Sequence, residues 1–321
     1  MAIKKATFVL SLDTELAWGS FDLGITALDT AQFYNTRTCI SNLLQLLEKY
    51  RLAATFAFVG HLMLSECSED NGIKHKEIVR PDFSWYQKDW FTEDPATNLE
   101  KDPAWYGADI LEEVINAQPI HEIGSHSFSH MIIGADGCSR DSADSDIALS
   151  VETAKARGLE LKSFVFPRNL EGYRDVLAKY GFRVYRGRGN EWYGIIKNRL
   201  LSRACHLLDN LIAISPRTSV PFKDEYGLYN TTGNMLYLSC AGIRKFIPIS
   251  SRIRKAKKGI NRAIKRGEVF HLWFHPFNLA SNPRGLLKGL DKIFSYVRDK
   301  IDEGVLENCT MLEVCKKYEN T

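Results

Sequence analysis

The chain has 321 residues, of which 45% are hydrophobic and 25% charged, so its composition is that of an ordinary soluble globular protein with a large core. Its formal net charge of +3 gives no indication of nucleic-acid binding. The seven cysteines are odd in number and scattered without a CxxC pair. This pattern argues against a disulfide framework or a cysteine-based zinc site and favours a reducing compartment.

The first apolar run, residues 6–12, is interpreted as a strand. It is too short for the hydrophobic core of a secretory signal, and it passes directly into Asp13. No stretch approaches the roughly 20 apolar residues that a membrane-spanning helix needs. We therefore expect a cytoplasmic protein, with contact to a membrane surface as a further option.

Apolar runs alternate with amphipathic stretches along the chain, which is the βαβ rhythm of a parallel sheet. The predicted strands lie at residues 6–12, 53–59, 122–125, 163–166, 182–185, 234–240 and 268–274. The predicted helices lie at residues 30–49, 104–117, 141–158, 172–180, 198–209, 250–266, 285–303 and 310–318. No linker divides the chain, so we expect one α/β domain over residues 1–321, folded as a distorted (β/α) barrel with seven strands.

Residues 65–106 interrupt this rhythm after the second strand. The segment is polar, with three prolines and five Trp and Tyr residues. It is too long for a segment that only connects two elements of a compact barrel, so it predicts an inserted loop with a role of its own.

Residues 250–266 predict a basic amphipathic helix. The segment has eight Lys and Arg residues and no acid, and its apolar face consists of Ile253, Ala256, Ile260, Ala263 and Ile264. Without these eight, 34 basic residues face 39 acidic ones, so the positive balance of the chain is local. The basic side is either a solvated helix face or a surface that attracts an anionic partner.

Polar side chains of the acid, base or metal-ligand type follow four predicted strands. They are Asp13 and Glu15 after the first, His126 and His130 after the third, Arg168 and Asn169 after a middle strand, and His275 after the last. In a parallel barrel these strand ends share one face, where barrel enzymes hold their active sites. We therefore expect these side chains to lie together.

His126 and His130 stand four residues apart in HSFSH. On one helical turn both rings would point the same way, which suits two nitrogens converging on a zinc-like ion. The alternative is a pair of surface or capping histidines. Asp13 and Glu15 could likewise belong to a helix N-cap or turn, and His275 could be a core histidine.

Together the clusters resemble the motifs of the polysaccharide deacetylases, carbohydrate esterase family 4. The matching motifs are SLDTE at 11–15, HSFSH at 126–130, FPRN at 166–169 and LWFH at 272–275, and ATFAF at 54–58 resembles the family's second strand. The chain departs from the family pattern in three ways: Thr14 separates the two acids, the arginine follows the proline, and only Glu191-Trp192 approaches the fourth motif. The resemblance is to a divergent branch of the surface-polysaccharide type.

The resemblance implies that Glu15, His126 and His130 hold a divalent metal, zinc in the first place, with cobalt or another ion as alternatives. One acid and two histidines leave an open position, as in catalytic zinc sites. Asp13 would be the general base and His275 the general acid, for which an imidazole pKa near 6.5 is suited. The alternative that Asp13, in place of Glu15, is the metal ligand stays open.

Three further residues receive expected roles. Arg168 would keep Asp13 ionised through a charge-assisted hydrogen bond, a backbone N–H near Asn169 would bind an oxyanion, and Trp18 would line the pocket. The aromatic residues of the 65–106 insert would either cover a sugar ring or form a small core under the loop, and we favour the small core.

The implied function is metal-dependent N-deacetylation of an amino sugar during synthesis of a surface polysaccharide such as O-antigen or capsule. The substrate would be carried on a nucleotide or lipid diphosphate attracted by the basic helix, which could also contact a membrane; nucleic acid is not an expected partner, since no recognised module is present. The alternatives are hydrolysis of another carbon–nitrogen bond, in a formamide or cyclic amide, and a non-catalytic glycan-binding barrel.

Overall fold

A computed structural model describes residues 5–25, 27–189 and 191–319. Within these ranges a curled sheet forms the centre of the protein and helices pack around it. The strands are β1 (Ala6–Thr14), β2 (Thr55–Phe58), β3 (Glu69–Asp70), β4 (Ile73–Lys74), β5 (Glu122–Ser125), β6 (Ser163–Val165), β7 (Val184–Arg186), β8 (Phe222–Lys223), β9 (Tyr229–Asn230), β10 (Met235–Leu236), β11 (Val269–Phe274) and β12 (Leu306–Cys309).

The α-helices begin and end close to their predicted bounds. They are α1 (Ala27–Tyr50), α2 (Ala108–Asn116), α3 (Arg140–Ala156), α4 (Arg174–Lys179), α5 (Arg199–Leu211), α6 (Ile249–Arg266), α7 (Pro283–Asp302) and α8 (Met311–Glu319). In the described part of the chain, none of these helices combines the length and apolar character needed to cross a bilayer.

The main sheet has the strand order β10-β11-β1-β2-β5-β6-β7-β9-β8, with β12 also paired to β1. All neighbours are parallel except β8 and β9. All nine residues of the central strand β1 are buried. Parallel strands buried on both faces require continuous apolar runs, and the run at residues 6–12 is the clearest such run in the sequence.

The sheet curls until its two ends approach each other. Ser219, just before β8, forms an antiparallel bridge with Val269 of β11. The backbone N–H of Asn234, just before β10, donates to the His271 carbonyl at 2.9 Å. Irregular backbone around these two residues therefore closes most of the gap between the two ends of the sheet. Without these contacts the sheet would be a half-barrel.

The predicted α/β barrel fold is confirmed, but the predicted number of seven strands is wrong, since ten strands of the described part of the chain join this sheet. The additional members are β8, β9 and β12. Strands β8 and β9 have two residues each, and the sequence of β12 is LENC. None of the three has the apolar run or the strict alternation that predicts a strand. Their pairing depends on the curl of the sheet.

One end of the barrel interior is apolar. Its buried cluster consists of Val9, Ala57, Val165, Val184, Tyr229, Val269 and, from α8, Met311, Val314 and Cys315. Because strand side chains alternate between faces, Ser11 and Asp13 share the face of Val9, and Arg186 shares that of Val184. The interior thus changes from apolar to charged toward the carboxyl ends of the strands.

The insert, between β2 and α2, is mostly irregular apart from the small β3–β4 hairpin. Most of its aromatic side chains are buried, namely Phe83, Trp90, Phe91 and Tyr106, whereas Trp85 is 41% exposed. Trp90 packs edge-to-face on Phe21, with ring centroids 4.8 Å apart. This packing agrees with the interpretation of a small core under a long loop.

Helix α6 uses part of its positive charge inside the protein. Arg252 is buried and donates to the carbonyls of Leu238 and Ser239 at 3.0 and 2.8 Å. Lys255 is also buried and forms an ion pair with Asp209. The basic face is therefore smaller than the eight charges of the sequence suggest.

Candidate active site

Asp13 lies near the carboxyl end of β1 and is held by an arginine from β7. Arg186 Nη1 donates to Asp13 Oδ1 at 2.6 Å, and Nη2 donates to Oδ2 at 2.7 Å. The Arg186 side chain is fully buried, with its guanidinium 4.1 Å from the centroid of the Trp273 ring. A bidentate guanidinium fixes both the charge and the orientation of a carboxylate.

The expected contact between Arg168 and Asp13 is wrong. Arg168 Nη2 donates instead to the Asp22 carboxylate, at 2.7 and 2.6 Å from its two oxygens. Residues 167–169 form a 3₁₀ turn in which Arg168 has a left-handed φ of 55°, and its side chain is 29% exposed. This turn directs Arg168 away from the barrel interior, whereas Arg186 lies on the interior face.

Asn169 contacts the same network through its side chain. Its Oδ1 accepts a hydrogen bond from Arg186 Nη2 at 3.0 Å. Its backbone N–H donates to the Phe166 carbonyl at 2.9 Å and is therefore engaged within the turn. The expectation that this N–H binds an oxyanion is not supported by the geometry.

The HSFSH segment is an irregular loop rather than the expected helical turn. Ser127 and His130 have left-handed φ values of 62° and 56°. The carboxylate of Asp146, from α3, accepts the backbone N–H groups of Phe128 and Ser129 at 2.7 and 3.0 Å. These hydrogen bonds stabilise a bent loop that a local helical pattern does not predict.

The bent loop brings both histidines to Glu15. Oε2 of Glu15 lies 3.2 Å from His126 Nε2 and 3.2 Å from His130 Nε2. The three side chains are almost completely buried, and their ligand atoms lie within 4.8 Å of one another. Glu15, rather than Asp13, is the acid that lies between the histidines.

The donor set fits a divalent cation. His126 Nδ1–H donates to the Val165 carbonyl at 2.8 Å, so in the neutral ring Nε2 directs a lone pair at Glu15 Oε2. Two acceptors facing each other in a buried site are unfavourable unless a proton or a metal ion lies between them. Two imidazole nitrogens and a carboxylate oxygen are the ligands of many catalytic zinc sites, in which a histidine's other N–H is often held by a carbonyl.

The pKa values of both acids favour their charged forms. Burial alone would raise the pKa of Glu15, but His275, His126 and His130 hold it well below its ordinary value. Burial would likewise raise the pKa of Asp13, yet the Arg186 guanidinium holds it below the ordinary value. Burial lowers the pKa of His130, which favours the neutral ring that a metal needs.

His275 follows β11 and faces both acids. Its Nε2 is 3.6 Å from Asp13 Oδ2 and 3.6 Å from Glu15 Oε1. Asn278 Nδ2 lies 3.1 Å from the other ring nitrogen, Nδ1. The side chain is 23% exposed, so the ring joins the buried carboxylates to the surface.

Trp18 does not line the site. It is completely buried, and its indole N–H donates to the Trp105 carbonyl of the insert at 3.2 Å. The turn after Glu15 begins with Leu16 at a φ of 45° and directs Trp18 into the core of the insert. Trp85 is the exposed tryptophan nearby, and its N–H donates to Asp22 Oδ2 at 3.1 Å.

Three residues of this region were missed by the sequence analysis. Arg186 is the last residue of the short strand β7. The sequence feature that could have indicated its role is a single arginine after an apolar run. His271 lies in the same network: its Nε2 is 2.8 Å from Ser11 Oγ, which accepts from Arg186 Nη1 at 3.0 Å. Asp146 gave no local signal, because its partners are backbone N–H groups of another element.

The structure resembles several solved structures over almost the whole length of this chain. A putative polysaccharide deacetylase from Mycobacterium smegmatis superposes with a TM-score of 0.66 at 13% identity, covering 99% of this chain and 91% of that one. A probable polysaccharide deacetylase from Pseudomonas aeruginosa PAO1 gives a TM-score of 0.63 at 8% identity, with 98% and 91% covered. A 4-alpha-glucanotransferase from Thermococcus litoralis gives 0.52 at 13% identity, covering 98% of this chain and 40% of that one. At these identities the likeness shows the fold.

No curated protein sequence matches the chain significantly. The sequence profile described as polysaccharide deacetylase matches residues 16–185, more than half of the chain. The matched region includes both histidines of HSFSH and ends one residue before Arg186. The chain therefore belongs to the polysaccharide deacetylase family.

Proposed function

We propose that the protein is a divalent-metal-dependent N-deacetylase that removes the acetyl group of an amino sugar during surface-polysaccharide synthesis in the cytoplasm. The observation that carries the proposal is the convergence of Glu15, His126 and His130 beside Asp13 and His275 at one end of the barrel. A divalent ion held by the first three, with zinc as the first candidate, would activate water and polarise the amide carbonyl.

Asp13 acts as the general base. Both of its oxygens are hydrogen-bonded to Arg186, so it remains ionised and fixed in position to accept a proton from the attacking water. Arg186 contacts Asp13 rather than the substrate and is a positioning residue. The Arg168–Asp22 pair, next to the exposed Trp85, is suited to the rim where a sugar would enter.

His275 acts as the general acid. Its Nε2 faces the two carboxylates, and its partial exposure leaves space for a leaving group on the solvent side. As water adds to the acetyl carbonyl and the carbon–nitrogen bond breaks, the imidazolium donates its proton to the amine. The products are acetate and a free amino sugar.

The experiment measures acetate release from N-acetylated sugars before and after chelation and after addition of zinc or cobalt. We expect activity to disappear with the chelator and return with metal. Activity that survives complete metal removal would contradict the proposal. Parallel assays with N-formyl and cyclic amide substrates separate a deacetylase from a hydrolase of another carbon–nitrogen bond.

Two variants separate the roles of the acids. Asp13→Asn should keep its bound metal but lose roughly 10²- to 10⁴-fold in kcat, the usual contribution of a general base. Glu15→Gln should lose both metal and turnover. Asp109→Asn, which changes a surface carboxylate paired with Arg37, is the control and should retain both. Metal loss in Asp13→Asn together with retention in Glu15→Gln would reverse the assignment.

The carrier of the sugar is proposed to be a nucleotide or lipid diphosphate. Support comes from the exposed basic residues Arg254 and Lys265 of α6 and from the neighbouring 3₁₀ turn Gly242–Phe246, with Arg244 and Lys245. Exposed apolar side chains accompany them, and these include Ile243 and Phe246. Such a mixed surface is suited to peripheral contact with an anionic membrane.

A further inference from the structure

A second group of metal-ligand side chains lies outside the active site. His61 follows β2, and Cys67, His75 and Asp94 belong to the insert. One ligand atom from each lies within 4.8 Å of those of the other three. None of these residues has a role in the deacetylation proposed above.

Asp94 lies between the two histidines. Its Oδ2 is 3.3 Å from His61 Nε2, 3.2 Å from His75 Nε2 and 3.6 Å from Cys67 Sγ. Its Oδ1 accepts the Ala96 backbone N–H at 3.0 Å, so Oδ2 is the oxygen directed into the cluster. The side chains of His61 and Asp94 have no exposed surface, and that of His75 is 7% exposed.

His61 has a buried nitrogen that lacks a hydrogen bond. Its Nδ1 lies 3.3 Å from the Trp105 carbonyl and is the protonated nitrogen there. Its Nε2 is directed into the cluster and lies 3.3 Å from Asp94 Oδ2, but it has no well-aligned hydrogen bond to any described residue. Leaving a buried polar atom unpaired is unfavourable, and a cation at the centre of the cluster would remove this cost.

The Cys67 sulfur contacts both the Asp94 carboxylate and the Tyr106 hydroxyl. Tyr106 Oη accepts the Thr97 backbone N–H at 2.9 Å, so its own O–H is free to donate to Cys67 Sγ, 3.2 Å away. Burial raises the pKa of the Cys67 thiol to about 12, so a bound metal ion would have to displace its proton. Lys74 donates to carbonyl oxygens, including that of Phe91 at 3.2 Å, and leaves the carboxylate to the cluster.

We propose that His61, Cys67, His75 and Asp94 bind a second divalent ion of the zinc class, with a structural role. Four protein ligands close the coordination sphere, which distinguishes structural from catalytic zinc sites. One thiolate and two imidazoles are softer ligands than the oxygen sets of magnesium or calcium sites. The spacing H-x₅-C-x₇-H-x₁₈-D has no CxxC pair, which is why sequence analysis argued against such a site.

The ion would attach the insert to the barrel beside the active site. His61 is bound to the barrel, since its backbone N–H donates to the carbonyl of Phe128 in HSFSH at 2.9 Å. From the insert, the Trp90 indole N–H donates to Ser129 Oγ at 3.0 Å. Ordering the insert therefore also supports the loop that holds His126 and His130.

The test is cobalt titration of demetallated, reduced full-length protein. A thiolate ligand gives Co²⁺ a charge-transfer absorption in the near ultraviolet, which a site of one carboxylate and two imidazoles does not give. We expect the wild-type protein to bind two cobalt ions and to show this band. His126→Ala should lose one ion and keep the band, whereas Cys67→Ser should lose one ion and the band.

Cys240→Ser is the matched control, since Cys240 is another half-buried free cysteine outside the cluster, and it should keep both ions. Absence of the band from fully loaded wild-type protein, or its persistence in Cys67→Ser, would overturn the proposal. If Cys67→Ser does not fold, X-ray absorption of zinc-loaded His126→Ala protein replaces it and should show one sulfur at about 2.3 Å. An all-nitrogen and oxygen shell would refute the site. These readouts do not depend on deacetylase activity.

Discussion

Glu15 reaches the two histidines because Gly19, whose backbone packs against the Glu15 side chain, has no side chain of its own. A Cβ at Gly19 would lie 2.2 Å from Glu15 Oε1 and 2.3 Å from its Cδ, far inside van der Waals contact. The glycine leaves the space that the carboxylate occupies. The position of a candidate metal ligand is thus determined by a neighbour that does not itself contact the histidines.

We predict that Gly19→Ala displaces the Glu15 carboxylate. Metal affinity should fall by roughly 10- to 100-fold, as when the support of a ligand is removed, with little change in thermal unfolding. Gly194→Ala, at a glycine with no atom within 4 Å of the added Cβ, is the control. Isothermal titration with zinc measures the difference. Equal affinities in the two variants would mean that Glu15 does not bind the ion.

His271 stabilises the buried network only as a neutral ring. Burial lowers its pKa from 6.5 to about 3. Its Nδ1 is 3.2 Å from the Thr231 carbonyl, an acceptor, and its Nε2 is 2.8 Å from the Ser11 hydroxyl, a donor. The neutral tautomer satisfies both partners, and Ser11 in turn accepts from Arg186.

This burial predicts a pH dependence of stability. Between about pH 3 and 6.5 the unfolded chain binds a proton at His271 that the folded protein does not, so stability falls as the pH decreases through this window. The slope is up to about 1.4 kcal/mol per pH unit for one proton. Urea unfolding of metal-free protein at several pH values should show a shallower slope for His271→Gln. Parallel curves for the two proteins would contradict the assignment.

At the scale of elements, α3 determines the shape of the HSFSH loop. Its N-terminus is capped by Ser139, whose side chain accepts the Ser142 N–H at 3.0 Å. About two turns later, Asp146 is completely buried and accepts the Phe128 and Ser129 N–H groups. The helix thereby supplies the partners that an irregular buried loop cannot find within itself.

We predict that Asp146→Asn weakens both the fold and the metal site. An amide can accept only with its oxygen, so one buried loop N–H loses its acceptor, at a cost of about 1–3 kcal/mol in unfolding free energy. Metal affinity should fall as well, because the loop carries His126 and His130. Asp144→Asn is the matched control on the same helix, where the aspartate pairs with Lys179 at the surface. Chemical unfolding and zinc titration are the measurements. Identical behaviour of the two variants would show that Asp146 does not hold the loop.

At the scale of the whole molecule, exposed apolar side chains gather beside the basic helix. On α5 and next to it, Leu200, Leu201, Leu208 and Ile212 are 54–76% exposed, and Ile243 and Phe246 are 63% and 67% exposed. Arg244 lies within this surface, since its carbonyl accepts from Arg252 of α6 at 3.0 Å. Apolar side chains with flanking positive charge are typical of surfaces that bind the membrane interface.

We predict that the protein sediments with anionic phospholipid vesicles and much less with neutral ones. The double change Ile243→Ser and Phe246→Ser should release it, while turnover of a water-soluble N-acetyl sugar should be unaffected. Ile120→Ser removes a side chain that is 77% exposed beside β5, and it should retain binding. Absence of wild-type protein from the anionic pellet would refute the membrane contact.

The local sequence pattern by itself determined much of the architecture of this protein. The apolar runs and amphipathic stretches specify the order of the main strands and helices, since burial on two faces of a strand or one face of a helix demands those periods. Except for Arg168, the polar residues that follow the strands, from Glu15 to His275, meet at one end of the barrel because parallel strands place their carboxyl ends together.

Only the tertiary structure decided which side chains meet across the barrel. Arg186, rather than Arg168, pairs with Asp13 from 173 positions away, and Trp18 enters the core of the insert. The cluster of His61, Cys67, His75 and Asp94 forms in a mostly irregular part of the chain that contains only short elements. These contacts depend on the curl of the sheet and on turns with left-handed residues, and such long-range geometry leaves no periodic signal in the sequence.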